Sequence, residues 1–415
     1  MDDAIPGDVA PEAADKDVTF TPMNRTVALV SAVAAIAPLA AGCWDMREVN
    51  QLAIVDMAAL DFEPQTGMEI GYYQVVNPNA ITQQQASGLR SPVYTYRVEG
   101  RTIADLGRQA ALRLPRELFP DHYQSIIVSE RRARKEIMQL LDFFERQFDR
   151  RSTVQLFVAV DPLEDVMTEL TPLERRPGNA LRKLVEIQSS ANGALSRRNR
   201  IKDVLEDLAT GRCAVVPIVR LKGKPVRNVG RYQSSDADAG NLYLHGGAVF
   251  CGDRMVGELG HDDMSWYHAL SGRTAALGAT VRASVGSVDV RTERLRIQSR
   301  LDAHADPPVW RVRMKAALHV TGLRPDKPDL THDDLRDICL AFERKASERA
   351  SAVYDLSVRR GWDLFGLRRK MTLAGRDAAQ WSTVRLRVDI GCRVLNPGEL
   401  AGSYGPQIES EASSP

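Results

Sequence analysis

Apolar and polar positions divide the chain into stretches of different texture. Residues 26–42 run through small apolar side chains without a charge. From about residue 50 to 222, short strand-like runs alternate with amphipathic helical stripes. Beyond residue 240, long alternating segments surround one long helical stripe.

In the first globular stretch, Gln51–Phe62 is apolar and Gly67–Val76 alternates, with Pro64–Gly67 between them, which predicts a hairpin. After a Gln-, Ser- and Pro-rich loop, Val93–Val98 places Tyr94, Tyr96 and Val98 on one face of a half-buried strand. Thr102 caps a helix lined by Ile103, Leu106, Ala110 and Leu114, with Asp105 in a capping-box-like position and Pro115 as the stop. His122–Val128 reads as a strand. Ile137, Leu140, Leu141, Phe144 and Phe148 form one helical stripe. Thr153–Val160 is short and continuously apolar, as a buried central strand is. Residues 161–199 read as helix broken at Pro162, Pro172 and Pro177; Ile201–Leu208 is a helix and Cys213–Leu221 a strand.

The second globular stretch opens with a predicted hairpin, Gly246–Phe250 and Asp253–Leu259, and a short helix over Asp262–Leu270. Strand segments follow at Val281–Val290, Leu295–Leu301 and Val309–Val320. In the last, Trp310, Val312, Met314, Ala316 and Leu318 face one way and Arg311, Arg313 and Lys315 the other, the pattern of an antiparallel sheet with one wet face. A solvated face is the default reading of the basic side, with lipid phosphates or a partner as the alternative. A helix over Asp333–Val358 carries Leu335, Ile338, Cys339, Phe342, Ala346, Val353 and Leu356 along one stripe, with Arg336, Glu343 and Arg344 opposite. Val384, Leu386, Val388, Ile390, Cys392 and Val394 alternate with Arg385, Arg387, Asp389 and Arg393 as a closing strand. The fold class is therefore α+β: mixed and antiparallel sheets packed with helices, ending in an antiparallel sheet plus one long helix.

Composition narrows the function classes. The 415 residues carry 44% hydrophobic positions and a formal net charge of +1, so nothing points to nucleic acid. Beyond Cys43, the cysteines Cys213, Cys251, Cys339 and Cys392 stand singly, without the spacing of a zinc site or a redox pair. Their disulfide state stays open, with buried free thiols the expected form. Gly246-Gly247 has no Lys-Ser/Thr partner and makes no phosphate loop. His122 is the one tempting base, but no nucleophile or second base accompanies it. The expectation is no catalytic residue, no metal and no cofactor.

The amino-terminal end carries a different kind of chemistry. Met23, Asn24 and Arg25 precede the apolar run, and Ala40, Ala41 and Gly42 precede Cys43, the layout of an export signal with a small-residue cleavage site. The pattern resembles a bacterial lipobox, with the leucine at Leu39, one position earlier than in the commonest form. It predicts diacylglycerol attachment at the Cys43 thiol; the alternatives are an ordinary cleaved signal peptide with an incidental cysteine and an uncleaved anchor helix. Met1–Pro22 is acidic, the wrong chemistry for a signal's first segment. Either translation starts at Met23 or these residues are a disordered extension.

The stretch Cys43-Trp44-Asp45-Met46-Arg47-Glu48-Val49-Asn50, followed by Leu52–Val55, resembles the mature start of the Ger(x)C spore germination lipoproteins. Val98-Glu99-Gly100, Leu118–His122, Ile126–Glu130, Leu141-Asp142-Phe143, Gly246–Phe250, Asp363–Gly366 and Trp381 repeat that resemblance in order over about residues 43–398. It implies a non-enzymatic C subunit of a germinant receptor. Such a subunit is held by its lipid on the outer face of the spore's inner membrane, beside a polytopic B subunit and a largely hydrophilic A subunit. The expected domains are a leader 1–22, a signal peptide 23–42, an amino-terminal region 43–222 with a break near 171–180, a linker 223–240, a carboxy-terminal domain 241–398 and a tail 399–415. The competing classes are a cell-wall-acting lipoprotein enzyme, which needs convergent acidic or Cys/His residues, and a solute-binding lipoprotein, which needs two similar lobes.

Overall fold

The computed structural model describes residues 51–78, 80, 90–146, 153–232, 240–325 and 330–396. Cys43, Phe148, the expected leader and signal segments and the tail lie outside them.

The chain opens with β1 (Leu52–Phe62) and β2 (Glu69–Val76), the predicted hairpin, and adds β3 (Val93–Gly100) antiparallel to β2. Helix α1 (Ile103–Ala111) starts as expected: Thr102 Oγ1 accepts the Asp105 N–H at 3.1 Å. Next come β4 (Glu117–Phe119), β5 (Ser125–Ser129), α2 (Glu130–Lys135), α3 (Met138–Arg146) and β6 (Gln155–Ala159). Then follow α4 (Leu163–Thr168), α5 (Pro177–Ala191), α6 (Ile201–Ala209) and β7 (Ala214–Lys222). Pro177 begins α5 rather than breaking a helix, because its missing N–H falls where a first turn leaves that group unbonded anyway.

β1, β5, β6 and β7 pair in parallel as the centre of one sheet, ordered β3-β2-β1-β5-β6-β7-β8-β9, with β4 beside β1. Strands β8 (Asn241–Cys251) and β9 (Arg254–Leu259) complete it as an antiparallel hairpin on β7. The expected linker 223–240 therefore does not end the sheet, since strands on both sides of it pair with each other. The described residues from Leu52 onward form one compact unit.

Both faces of this sheet are covered, so its strands alternate between two cores. In β7, Val215 and Val219 face one core while Ala214, Val216 and Ile218 face the other. One core gathers Leu106, Ala110, Leu140, Leu141, Phe144 and Val204 from α1, α3 and α6. The other takes Val166, Leu181 and Val185 from α4 and α5, and runs on without a break into the carboxy-terminal part. The bridge is α7 (His261–Leu270), with Met264 and Tyr267 fully buried. Gly247 lets it come close: a Cβ there would stand 2.7 Å from Met264 Sδ and 2.4 Å from Val215 Cγ1.

The second sheet is ordered β10 (Gly278–Ala283), β11 (Gly286–Asp302), β12 (Val309–Pro325) and β13 (Arg385–Asn396). Its turn falls at Ser284-Val285, inside the segment expected as a single strand, and β11 runs unbroken through the gap expected after Val290. A register shift between Thr292 and Arg294 inserts Glu293 and interrupts the alternation there. β10–β12 are antiparallel, whereas β13 joins β12 in parallel after the crossover through α8 (His332–Arg360) and α9 (Leu367–Leu373). Thr331 and Asp334 cap α8 reciprocally, and Gly361 ends it in the left-handed conformation. The buried stripe of α8 lies on the sheet with Phe342 fully enclosed, and further along the helix Tyr354 joins Trp310 and Phe365 in an aromatic cluster.

Two cysteines correct the expectation of free thiols. Cys213 and Cys251 flank the paired positions Ala214 and Phe250 of β7 and β8 and form a disulfide. Cys339 of α8 and Cys392 of β13 are free thiols 2.7 Å apart, with Cys392 donating to Cys339. Accepting that hydrogen bond lowers the Cys339 pKa, and donating it raises that of Cys392.

Candidate functional site

The one residue expected to carry chemistry, Cys43, lies outside the described residues. His122 does not open a strand. It closes the short 3-10 turn Pro120–His122 and is exposed, with its ring 5.5 Å from that of Phe119. A hollow of about 300 Å³ beside it is lined in part by Arg182, Glu186 and Arg200; Arg182 binds Glu186, and Arg200 binds Asp203 at 2.6 Å. Asp363 is buried and serves the backbone, its two oxygens accepting the Leu367 and Arg368 N–H groups that open α9 at 2.7 and 2.9 Å. Among the described residues, no group of three His, Cys, Asp or Glu side chains is placed to hold a metal ion. No helix among them is long and apolar enough to cross a membrane.

The buried charges are structural. Arg132 and Glu69 pair at 2.6 Å with both side chains inside the fold, and Gln139 accepts from the same guanidinium at 2.9 Å. Asp56 of β1 lies under the first turn of α5, where Gly178 makes room: a Cβ on it would meet the Asp56 carboxylate at 2.7 Å. Burial pushes the Asp56 carboxyl up to about 6, against the pull of Arg176 at 3.7 Å and of the α5 backbone N–H groups. His268 of α7 is fully buried, and neither ring nitrogen has a hydrogen-bond partner among the described residues. Burial, with Arg273 and Arg212 nearby, holds its pKa down to about 3, so the ring is neutral.

A concentration of positive charge lies on the outside of the second sheet. Inward-facing Trp310, Val312, Met314 and Leu318 meet α8, which leaves the alternate positions outward. The register sets those outward residues in rows across β11, β12 and β13. The first is Arg300–Arg311–Arg387, the next Gln298–Arg313–Asp389, then Arg296–Lys315–Gly391 and Arg294–Ala317–Arg393. Arg387 lies 3.6 Å from Asp389 and Arg311 4.0 Å from Asp302, while Glu293 is 3.3 Å from His319. Between the strands a hollow of about 460 Å³ opens where Ala317 and Gly391 are small, ringed by Arg294, Arg296, Lys315 and Arg393. Sequence alternation marks three of these cations on β12. The rows themselves depend on the β11 bulge and on the parallel docking of β13, which alternation alone does not show.

Comparison with known proteins places this fold. Residues 45–221 match a family model described as the spore germination protein N-terminal domain, and residues 245–392 match one described as spore germination B3/GerAC like, C-terminal. The chain is 30% identical over 217 residues to spore germination protein KC of Bacillus subtilis (strain 168), covering 50% of this chain and 53% of that one. It is 25% identical over 157 residues to spore germination protein B3 of the same organism, covering 37% and 41%. The chain thus spans about half the length of the curated relatives it matches. A crystal structure of the GerBC protein shares the fold with a TM-score of 0.50 at 15% identity, over 82% of this chain and 97% of that one.

Proposed function

This chain belongs to the Ger(x)C family of spore germination proteins, and from that membership we propose that it acts as the lipid-anchored, non-catalytic C subunit of a germinant receptor. The observation that carries this reading is the succession of the two domain models, in family order, over nearly all the described residues. The role is one of assembly and signalling. The subunit is held to the outer face of the spore's inner membrane by a diacylglyceryl group on Cys43 and works beside A and B subunits of the same receptor. The buried carboxylates and histidine described above fit this, because each is spent on helix starts, ion pairs or core packing.

Two acyl chains suffice for stable attachment where a single one gives only marginal binding. Cys43→Ala should therefore leave an unprocessed precursor that takes up no labelled fatty acid. The spores should respond to nutrient germinants as poorly as those lacking the gene. Efficient labelling of the Ala variant would overturn the anchor. Normal nutrient germination without the gene, in a strain with no second copy, would overturn the receptor role. Turnover of any cell-wall substrate by the purified chain, lost in His122→Ala or Asp363→Asn, would replace it with an enzyme.

A further inference from the structure

The outer face of the second sheet concentrates positive charge in a chain whose net charge is only +1. Arg300 is paired directly with Arg311, Arg311 with Arg387, and Arg296 with Lys315. Like charges directly opposite one another destabilise a sheet, and Asp302, Asp389 and Glu293 offset this face only in part. Such a layer costs stability while it meets only water and counter-ions, and it gains when it meets a surface of opposite charge.

We propose that this face docks flat on anionic phospholipid headgroups at a membrane surface. Its chemistry selects that occupant over a protein. Across the four rows the one apolar side chain is Ala317, itself only 5% exposed, and the exposed Leu395 lies beyond them at the end of β13, so the centre of the face has no aromatic or aliphatic anchor of the kind protein interfaces rely on. The cations are spread over rows instead of converging on one point, which matches an array of separate anions. Guanidinium groups bind phosphate oxygens in bidentate fashion, and the hollow bounded by Arg294, Arg296, Lys315 and Arg393 admits a headgroup phosphate between three of them and the Lys315 ammonium. The contact does not depend on the acyl chains at Cys43; it sets how the compact unit lies on the membrane.

The test uses the chain from Trp44 onward, which contains the whole compact unit and no cysteine at its head to be acylated. It is sedimented with vesicles of phosphatidylglycerol in phosphatidylcholine and with phosphatidylcholine alone. Binding should require phosphatidylglycerol and disappear near about 1 M salt, where the screening length falls to about 3 Å. Each cation near an anionic membrane contributes about 1 kcal/mol, roughly fivefold. Arg300→Gln, Arg311→Gln and Arg387→Gln combined should therefore weaken binding about 100-fold without lowering the melting temperature, and Arg344→Gln on α8 should change nothing. Equal binding to neutral vesicles, or a triple variant that binds like the parent, would overturn the proposal. So would absence of vesicle binding, and if the triple variant then also abolished germination at normal protein level, the occupant would be an acidic protein. Failure of the anchor shows as loss of acyl labelling and leaves these readouts untouched.

Discussion

Arg273 Nη2 stands 2.6 Å from each carboxylate oxygen of Asp207, with both side chains buried, and Arg273 Nη1 donates to Tyr267 Oη at 3.1 Å. The pair ties α6 of the first half to the chain leaving α7. Removing Asp207 strands the Arg273 charge inside the fold, and removing Arg273 leaves the buried Asp207 carboxylate with only the looser Arg212, 3.8 Å away. Arg273→Ala should cost about 3–5 kcal/mol in a denaturant titration, whereas Arg273→Met with Asp207→Leu together should recover most of it. A loss below about 1 kcal/mol for the single variant would show that water reaches Asp207.

Phe342 tests the packing of α8 on the second sheet. Its ring is fully buried, and truncating such a residue costs about 3–5 kcal/mol, a large part of a stability of roughly 5–15 kcal/mol. Phe342→Ala should lower the amount of folded protein recovered. An unchanged melting temperature would mean that the helix repacks at no cost.

The two buried titrating groups pull in opposite directions with pH. Asp56 has its folded pKa raised from 3.8 to about 6. Its stabilising contribution is complete below about 4 and is lost as pH rises through about 6. Asp56→Asn should then raise stability near neutral pH by roughly 3 kcal/mol, since two units count about 1.4 kcal/mol each. His268 has its folded pKa depressed from 6.5 to about 3. Its contribution is present above 6.5 and lost on acidification, so His268→Phe should flatten the acid side of the stability profile. Parallel profiles for parent and variant would contradict either assignment.

The Cys213–Cys251 bridge closes a separation of 38 residues, for which loop entropy predicts about 4 kcal/mol. Reduction, or Cys213→Ser with Cys251→Ser, should lower the denaturation midpoint accordingly. Thiol counting on the denatured, unreduced chain from Trp44 onward should find Cys339 and Cys392 alone. Four reactive thiols would refute the bridge.

Much of this fold is legible in the sequence because single elements obey local rules. The hairpin of β1 and β2, the Thr102 cap and the stripe of α8 follow from period and capping residues. What escaped depends on pairing. Alternation cannot tell that β13 runs parallel to β12, since a long intervening helix permits either direction. Glu293 breaks the two-residue period of β11, so one strand of 17 residues looks like separate pieces. Glu343 reads as part of a solvated helix face, yet its Oε1 accepts the Cys392 N–H at 2.9 Å. The Cys213–Cys251 bridge escaped in the same way, because the cysteines meet only through the β7–β8 register. The charged face is partly visible, as Arg311, Arg313 and Lys315 and as the alternating Arg385, Arg387 and Arg393 of the closing strand. Its density arises only when β11, β12 and β13 are set side by side.

The pairing of β7 with β8 across residues 223–240 bears on how the polypeptide is made. A ribosome releases β7 before the strand that covers it exists, so the nascent amino-terminal half waits with a bare hydrogen-bonding edge until residues 241–251 emerge. The core beneath α7 stays open longer still, until Trp310 and Phe342 arrive. A premature stop in 223–240 would therefore yield an adhesive fragment rather than a smaller working domain. Frameshifts there should be recovered as aggregates, and supplying the missing half in trans should rescue solubility only if it arrives before those edges find each other.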